Sequence, residues 1–97
     1  MKAIFIVYTQ AYNQEVVALL EELGQNGYTV WEDIGGRGSE GGEPHLGSHA
    51  WPTQNHALLS VLDEDKVDAV LEAVRAKDGA SPNLGLRAFV WDVEKMY

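Results

Sequence analysis

The sequence predicts an α+β domain in which two helices lie on one face of a four-stranded antiparallel sheet. Three observations lead there: two stretches with helical periodicity, four short β-branched and aromatic runs around them, and the order in which they alternate. With 97 residues the chain has room for one domain, spanning 1–97, with a long loop at 35–54. Alone, a domain of this size buries only about 60 to 65% of its unfolded surface, so a subunit interface would help it. A hydrophobic fraction of 45% and a charged fraction of 23% are those of a folded chain.

Residues 3–8, Ala-Ile-Phe-Ile-Val-Tyr, form a short apolar run that reads as a strand covered on both faces or covered by a partner. From Asn13, a plausible N-cap, apolar side chains recur at Val16, Val17, Leu19, Leu20 and Leu23, the spacing of a helix with one buried stripe, and Gly24 suits its stop. Asn26-Gly27 is turn chemistry. Residues 28–34 then have strand composition, with Tyr28, Val30 and Ile34 as candidates for one face.

Residues 35–54 break the pattern. Six glycines, two prolines and two histidines over twenty residues exceed an ordinary connection and point to a functional or mobile segment. Residues 57–62, Ala-Leu-Leu-Ser-Val-Leu, are a third strand. Asp63 caps a second helix, with Glu64 and Asp65 in its positive first turn and Val67, Val70, Leu71 and Val74 as its stripe. Residues 77–85, with Asp-Gly and Ser-Pro-Asn, read as a loop, and residues 86–93 as a fourth strand.

The order strand, helix, strand, long loop, strand, helix, strand implies two βαβ units, and Val30-Trp31-Glu32-Asp33 is echoed by Val90-Trp91-Asp92-Val93. Right-handed crossovers with both helices on one side give a ferredoxin-like βαββαβ sandwich as the simplest solution. One sheet face is then bare. Phe5 or Ile4, Trp31, Leu59 and Phe89 or Trp91 would populate it, so that face is expected to be buried by self-association.

A formal net charge of −8 with only seven Lys and Arg disfavours nucleic acid as a partner. No cysteine means no disulfide framework, thiolate metal site or cysteine nucleophile. The apolar run at 3–8 is too short to insert in a membrane and lacks a cleavage site, so a cytoplasmic location is expected.

Two long stretches, taken in order, carry a family resemblance. Residues 24–38 (Gly-Gln-Asn-Gly-Tyr-Thr-Val-Trp-Glu-Asp-Ile-Gly-Gly-Arg-Gly) lead into the loop, and residues 62–73 (Leu-Asp-Glu-Asp-Lys-Val-Asp-Ala-Val-Leu-Glu-Ala) open the second helix. In these the chain resembles the PII signal-transduction superfamily over nearly its whole length. The resemblance implies a ferredoxin-like subunit, a homotrimer with open sheet faces inward, and a mobile T-loop at 35–54. It implies a non-enzymatic regulator, akin to nitrogen regulatory proteins, that senses a small-molecule effector and acts on a protein partner. Two features depart from the family. The Gly/Lys-rich phosphate-binding segment is replaced by Lys77-Asp78-Gly79-Ala80-Ser81-Pro82-Asn83-Leu84-Gly85, which makes ATP or ADP doubtful. No Tyr lies between Tyr28 and Tyr97, so control by tyrosine modification is not implied.

Within the loop, Gly35-Gly36-Arg37-Gly38 resembles an anion-binding nest with Arg37 as the charge, against the plainer reading of a flexible connection. Trp51, before Pro52, is either an anchor for the loop or an aromatic wall for a ligand. All three histidines, His45, His49 and His56, fall within twelve residues. With Glu43 or Glu40 they form a candidate site for a divalent copper, zinc or nickel ion, and so an alternative metal-sensing function, although the spacing matches no closed zinc motif. The plainer reading is that His45 and His49 are loop residues bonded to backbone amides, with His56 pairing at a strand edge.

An enzyme using Arg37 and a loop histidine is the weakest alternative, because no activating partner for a base can be named. Glu32 and Asp33 lie on opposite faces of a strand. Asp92 and Glu94 share a face near a solvated end, and Ser48 and Ser60 lack the elbow context of a nucleophile.

Overall fold

In the computed structural model, which describes residues 1–36, 46–47, 54–80 and 85–97, the first apolar run becomes β1 (Lys2–Thr9). It is followed by a 3-10 turn, α1 (Asn13–Glu22), β2 (Thr29–Ile34), β3 (Asn55–Leu62), α2 (Glu64–Ala80) and β4 (Arg87–Asp92). The strands form one antiparallel sheet in the order β2-β3-β1-β4. This is the expected ferredoxin-like arrangement.

The register sorts the side chains. Ile4, Ile6 and Tyr8 of β1 stand beside Ser60, Leu58 and His56 of β3. Ile4, Ile6, Tyr8 and Leu58 are fully buried under Val16 and Leu20 of α1 and Val67, Val70 and Val74 of α2. The alternate residues occupy the other face: Phe5 pairs with Leu59 on one side and Phe89 on the other, and Ala3 with Trp91. Phe5 and Trp31 meet edge to face at 6.1 Å. Phe89, Trp91 and Trp31 remain 55%, 49% and 46% exposed. The bare face is therefore built from Phe5 rather than Ile4, and from both Phe89 and Trp91.

Helix α1 ends where a glycine permits it. Gly24 takes φ +76, its N–H donates to Glu21 O, and the Gln25 N–H donates to Leu20 O, both at 2.9 Å. This pair of bonds satisfies carbonyls that the helix end would otherwise orphan. At its start the expected cap is displaced: Asn13 is the first helical residue, Tyr12 holds the cap position without a side-chain bond, and Asn13 Oδ1 accepts from the Tyr8 hydroxyl at 2.7 Å. The buried phenol needs an acceptor, and Asn13 supplies it.

Two further expectations are corrected. Residues 77–80 are helical, not loop: Lys77 pairs with Glu15 and lies 4.6 Å over the Tyr12 ring, and Asp78 accepts from Arg87 at 3.0 Å. These tertiary contacts carry α2 through Gly79 despite its poor helix propensity. The shared face for Tyr28, Val30 and Ile34 also fails. The ladder runs Val30 to Leu58 and Trp31 to Ala57, then shifts so that Ile34 pairs with Asn55. Glu32 and Asp33 thus stand opposite His56 alone, a β-bulge that moves Ile34 onto the bare face. Tyr28 precedes the strand.

Candidate functional site

The bulge places the entry to the 35–54 segment against its exit. Asp33 adopts φ 56, the one left-handed conformation among the described non-glycine residues. Its N–H donates to His56 Nδ1 at 3.3 Å, and its carbonyl accepts from Gln54 Nε2 at 3.2 Å. The Gln10 N–H donates to Gln54 O at 2.9 Å, which ties the exit to the end of β1. Gly36 lies so close to the exit that a Cβ there would meet Asn55 Nδ2 at 3.0 Å. Leu46 bridges Gln54, and Gly47, at φ +68, leaves no room for a Cβ beside the Gln54 side chain.

His56 is buried behind this junction. Because Nδ1 accepts from Asp33, the neutral ring carries its proton on Nε2, which lies 3.8 Å from Glu32 Oε2. Its ring meets Tyr8 edge to face at 5.9 Å. Burial, with Tyr28 and Glu32 adding to it, pushes the Tyr8 phenol up to about 12, so it remains a donor to Asn13 at neutral pH.

Beside the junction, on the bare sheet face, is a concavity of about 360 Å³. Its floor is Phe5, Val7 and Phe89, one wall is Ile34, Gly35 and Gly36, and Asn55 and Arg87 supply polar groups. Arg87 opens β4 opposite Val7. Its Nη1 donates to Asp78 Oδ2 at 3.0 Å and to Leu86 O at 2.8 Å. An apolar floor, two glycines without side chains and a guanidinium can accept a small ligand with a flat apolar part and an anionic part.

Of the sequence-derived candidates, Gly35 and Gly36 line this concavity and His56 stands at the junction behind it. Arg37, Gly38, Glu43, His45, His49 and Trp51 lie outside the described residues. Metal ligation through His56 Nδ1 would cost the Asp33 bond, and among the described residues no three His, Asp or Glu side chains group as a metal site. The reading of residues passed over Arg87 and Asn55. The available signal was a cation at the first position of a strand whose other residues are mainly apolar.

The family model for nitrogen regulatory protein P-II matches residues 1–97. No curated protein matches significantly. Among solved structures, CPII from Thiomonas intermedia K12 bound to ADP and bicarbonate superposes with a TM-score of 0.77 at 24% identity, over 95% of this chain and 84% of that one. CPII bound to ADP, AMP and bicarbonate gives a TM-score of 0.78 at 23% identity, over 95% and 84%. A candidate PII-like signalling protein from Thermus thermophilus gives 0.65 at 26% identity, over 95% and 85%. The ADP in the CPII structures runs against the expectation drawn from residues 77–85. Of the segment on which that expectation rested, residues 77–80 are the end of α2, and residues 81–84 lie outside the described residues. Among the described residues no helix is long and apolar enough to cross a membrane.

Proposed function

Because the chain belongs to the nitrogen regulatory protein P-II family, we propose that it is a PII-like regulator rather than an enzyme, working as a homotrimer that senses a small anionic ligand. The observation that carries this reading is the position of the concavity. It opens on the same aromatic sheet face that association would cover, and it abuts the junction from which the 35–54 segment leaves. Association would therefore wall the ligand in, and the ligand would touch the base of the segment offered to a protein partner.

Adenine nucleotides and bicarbonate, bound by the CPII structures, are the first ligands to test. An adenine ring suits the floor of Phe5 and Phe89, while Arg87 and the amides of Gly35 and Gly36 suit phosphate or bicarbonate oxygens. Arg37 would add a second cation from the nest.

Thermal-shift measurements with ADP, AMP and bicarbonate, on wild type and Arg87→Gln, test this reading, because a ligand that binds only the folded state raises its melting temperature. The expected result is a rise in wild type that Arg87→Gln loses. No shift with any of the three would sink it. Zinc, copper and nickel belong in the same screen: a metal-dependent shift abolished by His45→Ala/His49→Ala would put the metal-sensing alternative, with Glu43 or His56 completing the site, in its place.

A further inference from the structure

We propose that Asp78 is a built-in competitor for Arg87, so that an anion seated at Gly35 and Gly36 displaces Asp78 and loosens the last turn of α2. The proposal rests on the ligand reading of the concavity and adds how its occupancy is sensed.

Arg87 lies between two depressions. It lines the concavity with Gly35 and Gly36, and it lines a second one of about 200 Å³ with Asp78 and Leu71 of the α2 side. Its guanidinium is held on the helix side, by Asp78 and the Leu86 carbonyl, and an anion in the concavity would have to draw it across. Its contact with Asp78 is made to one carboxylate oxygen, Oδ2, at 3.0 Å. The other oxygen, Oδ1, is buried and accepts no hydrogen bond from a described residue. An anion that offers two oxygens gains a bidentate contact with the guanidinium that Asp78, bonded through one oxygen, does not make.

The helix end is poised to respond. Asp78 sits in the final turn of α2, where the helix dipole is negative, so its charge is unfavourable there unless Arg87 offsets it. The next residue is Gly79, whose position has open space around it and whose helix propensity is poor. Removing the guanidinium from Asp78 therefore leaves a like-charge clash at the end of a turn with little else to hold it. Lys77, one residue earlier, is anchored to Glu15 and Tyr12, which confines the loosening to 78–80.

Isothermal titration of ADP and of bicarbonate into wild type, Asp78→Asn, Arg87→Gln and the double variant tests this. Asp78→Asn should bind roughly two- to fivefold tighter, the scale of a half-exposed ion pair released from competition. The double variant should bind no better than Arg87→Gln. Hydrogen exchange supplies a second readout: ADP should speed exchange at 78–80 in wild type and leave it unchanged in Asp78→Asn. Equal affinities for wild type and Asp78→Asn, or the same gain in the Arg87→Gln background, would overturn the competition. If Arg87→Gln binds as wild type does, the ligand reading itself fails. Should Asp78→Asn not fold, Asp78→Ser and the wild-type exchange measurement decide the matter.

Discussion

Phe89→Glu tests whether the bare sheet face is a subunit interface. Phe89 pairs with Phe5 across the β1 and β4 ladder and is 55% exposed in the single chain. For an aromatic side chain of roughly 200 Å² this leaves about 110 Å² to be covered, worth about 2.7 kcal/mol at about 25 cal/mol per Å². Three copies in a trimer bring roughly 8 kcal/mol, more than five decades in the association constant. The Glu carboxylate adds its own desolvation cost. Light scattering coupled to size exclusion should therefore give a trimer mass for wild type and a monomer mass for the variant. Circular dichroism should be unchanged, because Phe89 lies outside the buried cluster between sheet and helices. A wild type that stays monomeric at every concentration, or a variant with the wild-type mass, would refute the reasoning.

Alkaline titration should show the buried phenol of Tyr8. An unfolded tyrosine ionises at about pH 10, whereas Tyr8 is raised to about 12. The unfolded chain then loses its proton first, so stability is full below about pH 10 and falls by at most roughly 2 to 3 kcal/mol as pH climbs through the folded value. In Tyr8→Phe that decline should shrink in urea melts, at a cost of about 1 kcal/mol at neutral pH for the lost Asn13 bond; an identical alkaline slope in both proteins would contradict it. Leu20→Ala, at a fully buried position where α1 meets the sheet, should lower unfolding free energy by about 2 to 5 kcal/mol. A loss under about 1 kcal/mol would mean that α1 does not pack on the sheet in this way. Gly24→Ala should cost about 1 kcal/mol, read as a lower denaturant midpoint at unchanged slope, because φ +76 penalises any Cβ. An unshifted midpoint would count against the helix stop.

Most of the architecture was legible because its signals are local and periodic. The stripes Val16, Leu20 and Val67, Val70, Val74 are the residues buried against the sheet, and Gly24 marks its helix end by the one property glycine alone brings cheaply. The errors came where a distant partner decides. Gly79 and Asp78 argue for a loop in isolation, and only Glu15, Tyr12 and Arg87, remote in sequence, keep α2 helical there. The bulge at Glu32 and Asp33 had no compositional mark, because it is set by how His56 meets β2 across the sheet. The candidate site followed the same division. Gly35 and Gly36 announced themselves by composition, while Arg87 joined them only when β4 was laid beside β1.

The strand order has a consequence for how the chain is made. Of the four described strands β1 is made before the others, yet both its neighbours, β3 and β4, belong to the second half of the sequence. Among the described residues β2 pairs only with β3, so β1 and β2 are not neighbours in the sheet. The nascent amino-terminal half must wait with Ile4, Ile6 and Leu20 uncovered until the later strands emerge, and the whole domain then closes in one cooperative step governed by long-range pairings. A ribosome stalled before β3 should therefore expose a protease-sensitive chain, and a fragment ending at Ile34, the last residue of β2, should gain structure only when the remainder is supplied.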